Sequence, residues 1–193
     1  MGFSISWIGV RGLDRETILE RLELVDTGEA DDENQAYLSW AQLPDGWTII
    51  FSNGTDYAEA KLATLSMGGV AVGCEVEEHV MYCRARGYRE GAELWSITHD
   101  PENGIYDLTA KGDLPAAFPP IKARFIADQD REGGDEADVD MIFEIPTETA
   151  KAVCGYKHDE IMDAAFTTLR SLHRQAPKTG GFLKKLFGGF ART

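Results

Sequence analysis

Residues 70–100 read VAVGCEVEEHVMYCRARGYREGAELWSITHD, from Val70 to Asp100, and the fold depends on how this stretch doubles back on itself. Gly87 and Gly91 bracket Tyr88-Arg89-Glu90, a glycine-containing loop of the length that joins two strands of a hairpin. On the incoming arm Val70, Val72, Cys74, Val76, Val80 and Tyr82 share one face. Gly73, Glu75, Glu77, His79, Met81 and Cys83 share the other. This period of two predicts a strand with one buried face. The outgoing arm sets Trp95 and Ile97 against Ser96 and Thr98. The apolar faces coincide when Tyr82 pairs with Ile97, which puts His79 opposite Asp100 and Glu77 opposite Glu102. A slip of one residue would turn every side chain to the wrong face. Glu78 falls on the apolar face and predicts a bulge or a buried, partnered carboxylate.

Towards the N-terminus, Phe3, Ile5 and Trp7 mark a strand over 3–10, and Asp14 caps a helix over 15–24 whose apolar stripe is Ile18, Leu19 and Leu22. TGEADDENQ, residues 27–35, reads as an exposed acidic loop. Strands over 37–43 and 47–52 flank Pro44-Asp45-Gly46, and a helix over 56–67 stops at Gly68-Gly69. The sequon Asn53-Gly54-Thr55 reads as a turn. The resulting β-α-β-β-α-β succession is the ferredoxin-like order, a match of element order only.

Towards the C-terminus the expectations are a short strand near 105–108, a Pro-rich irregular stretch over 112–121 and a strand or short helix over 122–128. A mobile acidic loop follows over 128–138 and an alternating strand over 139–145. A short helix from Pro146 ends near Gly155. A longer one over 158–174 has Ile161, Met162, Ala165, Phe166, Leu169 and Leu172 as its stripe. The predicted class is therefore α+β. It has a mainly antiparallel sheet, a long central hairpin and C-terminal helices packed on the sheet, in one domain over 1–176 followed by a tail over 177–193. Trp7, Trp40, Trp47 and Trp95 all fall on strands and predict a tryptophan-rich core, or else an aromatic pocket over the sheet.

The chain has 193 residues and a formal net charge of −14. The tail carries Lys178, Lys184, Lys185 and Arg192 and no acid, so the preceding body stands at −18. Such a body repels phosphate backbones, which argues against nucleic acid and for a basic protein partner. Cys74, Cys83 and Cys154 form no paired framework and read as reduced thiols of a cytoplasmic protein. No apolar run approaches the ~20 residues that span a bilayer.

Two stretches carry candidate chemistry. On one face of the incoming arm Glu75, Glu77 and His79 follow at ~6.6 Å intervals, with Asp100 brought across by the hairpin. These donors suit a divalent metal such as zinc, iron or manganese, or acid–base catalysis. The plain alternative is a solvated strand face with a His–Asp hydrogen bond. In the tail, Phe182, Leu183, Leu186 and Phe187 flank Lys184 and Lys185. This segment can fold back on the acidic body, dock on a partner or touch an anionic membrane. Gly155-Tyr156-Lys157-His158-Asp159 reads as a tight helix–helix corner, with Tyr156 or His158 available to a pocket. No phosphate loop, dinucleotide fingerprint or nucleophile elbow occurs.

The functional expectation is a non-catalytic inhibitor- or immunity-like protein that steers a basic partner onto acidic residues. Its contacts are Asp31, Asp32 and Glu33 on one loop and Asp135, Glu136 and Asp138 on another. The alternatives are a metal protein on the hairpin and an accessory protein held at a membrane or complex by its tail.

Overall fold

The computed structural model describes residues 2–172. The sheet grows outward from β1 (Ser4–Arg11), whose six inner residues are all buried. Its side chains alternate between two cores. Ile5 and Trp7 enter one, Ile8 and Val10 the other. The remaining strands are β2 (Leu24–Ala30), β3 (Leu38–Gln42), β4 (Thr48–Ser52), β5 (Val70–Glu77), β6 (Tyr82–Arg89), β7 (Ala92–His99), β8 (Leu108–Gly112) and β9 (Thr167–Ser171). Among the described residues they form one nine-stranded sheet in the order β2-β9-β3-β4-β1-β5-β6-β7-β8. Every pairing is antiparallel.

Helices α1 (Arg15–Leu22) and α2 (Tyr57–Leu65) cover one face, where Ile18, Leu22, Leu62 and Leu65 bury against Ile8, Val10, Trp40 and Ile50. Asp14 caps α1 through the Thr17 N–H at 2.7 Å, as its sequence predicts. Helices α3 (Phe118–Glu132) and α4 (Glu144–Cys154) cover the other. The protein is thus α+β, with helices on both faces of a large antiparallel sheet. All four tryptophans are core residues. The central strands admit the helices closely because two positions lack a side chain. A Cβ on Gly9 would lie 3.1 Å from that of Cys154 at the end of α4, and one on Gly73 would lie 2.7 Å from the Leu62 side chain of α2.

The central stretch forms a three-stranded meander rather than one long hairpin. The expected turn at 87–91 is present as the two-residue link Glu90-Gly91, both left-handed (φ 49° and 78°), which matches the twist of a tight hairpin. A second turn over 78–81 reverses the chain before Tyr82. Glu78, the misfit on the apolar face, marks that turn rather than a bulge. Ile97 consequently faces Ala85, not Tyr82, and Glu77 faces Tyr82, not Glu102. His79 lies in the turn with no strand partner. The extra reversal also inverts the phase of the second arm, so Cys83 is buried with its sulfur 4.0 Å from that of Cys74.

Other expectations are corrected. Residues 24–30 form β2, an added strand after α1 that departs from the ferredoxin-like order. The segment 139–145 is not a strand. Ile142, Ile145, Thr149, Ala150 and Cys154 are all buried, a helical spacing, and Glu144 already begins α4. Its end at Gly155, left-handed at φ 77°, is as expected. Residues 122–128 lie inside the longer α3, which the Pro119-Pro120 pair opens. The predicted helix over 158–174 is absent from the described residues. Ile161 is fully exposed, and Thr167–Ser171 fill the slot between β2 and β3 as β9. Backbone pairing with two open strand edges outweighs a helical stripe in a segment with two adjacent β-branched threonines. Phe182, Leu183, Leu186 and Phe187 lie outside the described residues.

Candidate functional site

A cleft of 520 Å³ opens beside the start of β1 and the end of β4, between the loop before β3 and the chain over 156–166. Phe51, Tyr156 and Phe166 line it and are each nearly inaccessible, so they are its floor. The floor is braced by edge-to-face packing of Trp7 on Tyr156, with centroids 5.2 Å apart. Asp32, Glu33, Asn34, Gln35, Asp159 and Glu160 add polar lining, and no lysine or arginine among the described residues lines it.

The rim loop is built by short-range bonds its sequence encodes. Asp31 is buried, and its carboxylate accepts the N–H groups of Gln35 at 2.8 Å and Ala36 at 3.2 Å. Asn53 Nδ2 donates to the carbonyls of Asn34 and Ala36, both at 2.7 Å. Ser39 Oγ donates to Asn34 Oδ1 at 2.7 Å. Asn34 itself is left-handed, at φ 52°. Asp32 and Glu33 are left exposed at the crest, without an ion pair among the described residues.

The opposite wall is a charge cluster. Lys157 is buried, and its Nζ lies 2.8 Å from Glu144, 3.1 Å from Glu148 and 3.2 Å from Asp159. Burial opposes its charge, but the three carboxylates outweigh this and its pKa is raised. Glu160 pairs with Lys151. Asp159 and Glu160 are therefore each ion-paired within the wall, and Asp32 and Glu33 are the cleft-lining carboxylates without an ion pair among the described residues. His158 also lines the cleft, with Phe3 edge-on at 5.0 Å. Neither ring nitrogen has a hydrogen-bond partner among the described residues, and burial holds its pKa below the usual histidine value.

The structure scatters the predicted metal set. Glu77 and His79 are together, with Oε1 and Nδ1 2.8 Å apart and Ser4 Oγ donating to the same carboxylate at 2.8 Å. Glu75 is buried instead beneath α2, bonded to Arg86, which also reaches Glu59 at 3.1 Å. Asp100 accepts the Glu102 N–H at 3.2 Å and starts a 3-10 turn over Pro101–Asn103. Among the described residues no three such side chains are disposed to hold a metal ion. The lost register explains this, since it was the register that brought Asp100 to His79.

Of the six predicted acidic contacts, Asp32 and Glu33 reach the cleft, while Asp31 holds the loop from below. Asp135, Glu136 and Asp138 are exposed after α3, near Tyr106 and towards the β8 side of the sheet. The two acidic segments therefore make separate surfaces. Tyr156 and His158 line the cleft, but no helix follows them, and Asp159 serves Lys157 rather than a cap. Phe3, Phe51 and Phe166 were missed as site residues because each sits in an apolar pattern that core packing explains equally well. No helix among the described residues is long and apolar enough to cross a membrane. No family, curated protein or solved structure matches the chain.

Proposed function

We propose that this is a non-catalytic binding protein whose cleft receives a basic, apolar-flanked segment of a protein partner, in the manner of an acidic inhibitor. The observation carrying this reading is an aromatic-floored cleft of 520 Å³ with carboxylates and amides around it and no lysine or arginine among the described residues that line it. Its volume lies in the range of ligand sites. Asp32 and Glu33 offer unmatched negative charge at the entrance, and the floor takes an apolar side chain or the stem of an arginine or lysine. The rim is fixed in advance by Asp31 and Asn53, which limits the ordering cost of binding. A body at −18 steers a basic partner towards this entrance. Three free, buried thiols are consistent with a cytoplasmic setting.

The test is titration of the full chain with a fluorescent peptide bearing lysine or arginine beside phenylalanine or leucine. Affinity is expected to fall about tenfold between about 0.05 and 0.5 M salt, and comparably in Asp32→Asn/Glu33→Gln. Affinity indifferent to both changes would remove the reading.

A further inference from the structure

We propose that the cleft's resident occupant is the chain's own segment Phe182–Phe187, which a partner must displace. The inference rests on the reading of the cleft as a receptor for basic apolar segments, and it adds self-occupancy and competition.

Three observations converge on it. The charges are complementary, since the described residues lining the cleft include four carboxylates and no lysine or arginine, while residues 177–193 hold four cations and no acid. The chemistry is complementary as well. Phe182, Leu183, Leu186 and Phe187 are apolar partners for a floor of Phe51, Tyr156 and Phe166, and Lys184 and Lys185 lie between them to meet Asp32 and Glu33. The chain can also make the journey. Strand β9 begins beside the cleft, where the Phe166 carbonyl accepts the Asp31 N–H at 2.9 Å, and runs away from it to Leu172 beside Glu23. The return path is ~20 Å, six residues of strand, and the ten residues from Leu172 to Phe182 span up to ~35 Å.

Other recesses fit less well. The one beside Trp47 and Trp95 is lined by Arg11 and Arg89 and would repel the segment. In the one beside Trp40, Asp26 is already paired with Arg15 at 2.5 Å. Tethering places the segment at an effective concentration of about millimolar at its own cleft, so modest intrinsic affinity is sufficient to fill it.

Zero-length carbodiimide coupling of the full chain, followed by peptide mapping, reads the contact. Coupling of Lys184 or Lys185 to Asp32 or Glu33 within one chain is expected at about 0.05 M salt, and its loss in Asp32→Asn/Glu33→Gln. The Lys151–Glu160 pair, whose two residues both belong to the body, serves as the internal control for coupling. A control link without tail-to-cleft links, or tail links found only between isotopically distinct chains, overturns the proposal. A second arm titrates the full-length Lys184→Gln/Lys185→Gln variant with the basic peptide used above. Peptide affinity is expected to rise about fivefold or more as the competitor weakens. Unchanged affinity overturns self-occupancy and leaves the receptor reading standing. If neither protein binds peptide, the receptor reading falls while the coupling result still decides where the tail sits.

Discussion

His99 Nε2 lies 2.8 Å from Asp140 Oδ2 in an environment that excludes water from the imidazole altogether. The other ring nitrogen donates to the Asp107 carbonyl at 2.7 Å. Since a carbonyl can only accept, both nitrogens carry protons when Asp140 is ionised, and the ring is an imidazolium. Asp140 meanwhile accepts the Phe143 N–H at 3.1 Å, at the entry to α4. One ion pair thus fastens the end of β7 to the helix layer above it.

Burial works against the His99 charge, but the Asp140 and Asp107 oxygens prevail and its pKa is raised. A group with a raised folded pKa contributes stability that is complete below its unfolded value of about 6.5 and is lost as pH rises through the folded value. His99→Gln is expected to lower the Tm most near pH 6, with a smaller difference from wild type towards pH 9. Thermal melts across this range check it. A constant difference would show that packing alone accounts for the loss.

Lys157→Met leaves Glu144, Glu148 and Asp159 facing one another without their cation. These carboxylates are partly hydrated, so the expected cost is about 1–3 kcal/mol rather than that of fully buried charges. Denaturant titration of both proteins at neutral pH measures the difference.

Adjacent acids on the rim should respond in opposite ways. Asp31→Ala removes the acceptor of the Gln35 and Ala36 N–H groups and should cost about 1–2 kcal/mol. Asp32→Asn/Glu33→Gln alters only exposed groups and should leave stability within about 0.5 kcal/mol while weakening peptide binding. Melting and binding measured on the same proteins separate support from recognition.

A Cβ at position 87 would lie 2.1 Å from Trp95 Nε1, against a rigid ring within the sheet. Gly87→Ala must move that indole and is expected to cost about 1–3 kcal/mol, with a shift in tryptophan emission. An unaltered spectrum and Tm would show that the ring has room to retreat.

The sequence was most legible where one local rule was sufficient. Asp14 and Gly155 mark helix ends because a carboxylate cap and a left-handed glycine act within a few residues. Strands such as 48–52 declare themselves by composition. It was least legible where a distant partner decides. Nothing local to Thr167 announces that Trp40 Nε1 donates to its hydroxyl at 3.0 Å across 127 residues. The turn at 78–81 contains no glycine or proline, so alternation ran through it unbroken on the page, and the predicted metal set went with the false register. In the cleft, Asp32 and Glu33 were legible as exposed acids, but the floor was not, because a phenylalanine lining a recess and one filling a core have the same sequence signature.

The place of β9 has a consequence for how the chain is made. Among the described strands β2 pairs with β9 alone, through contacts that join residues as distant as Thr27 and Thr168. On the ribosome β2 therefore waits, its edge unsatisfied, until almost the whole described chain has been synthesised. The acidic residues within and after it, from Asp26 to Glu33, are well suited to that interval, since like charge keeps nascent edges from pairing with one another.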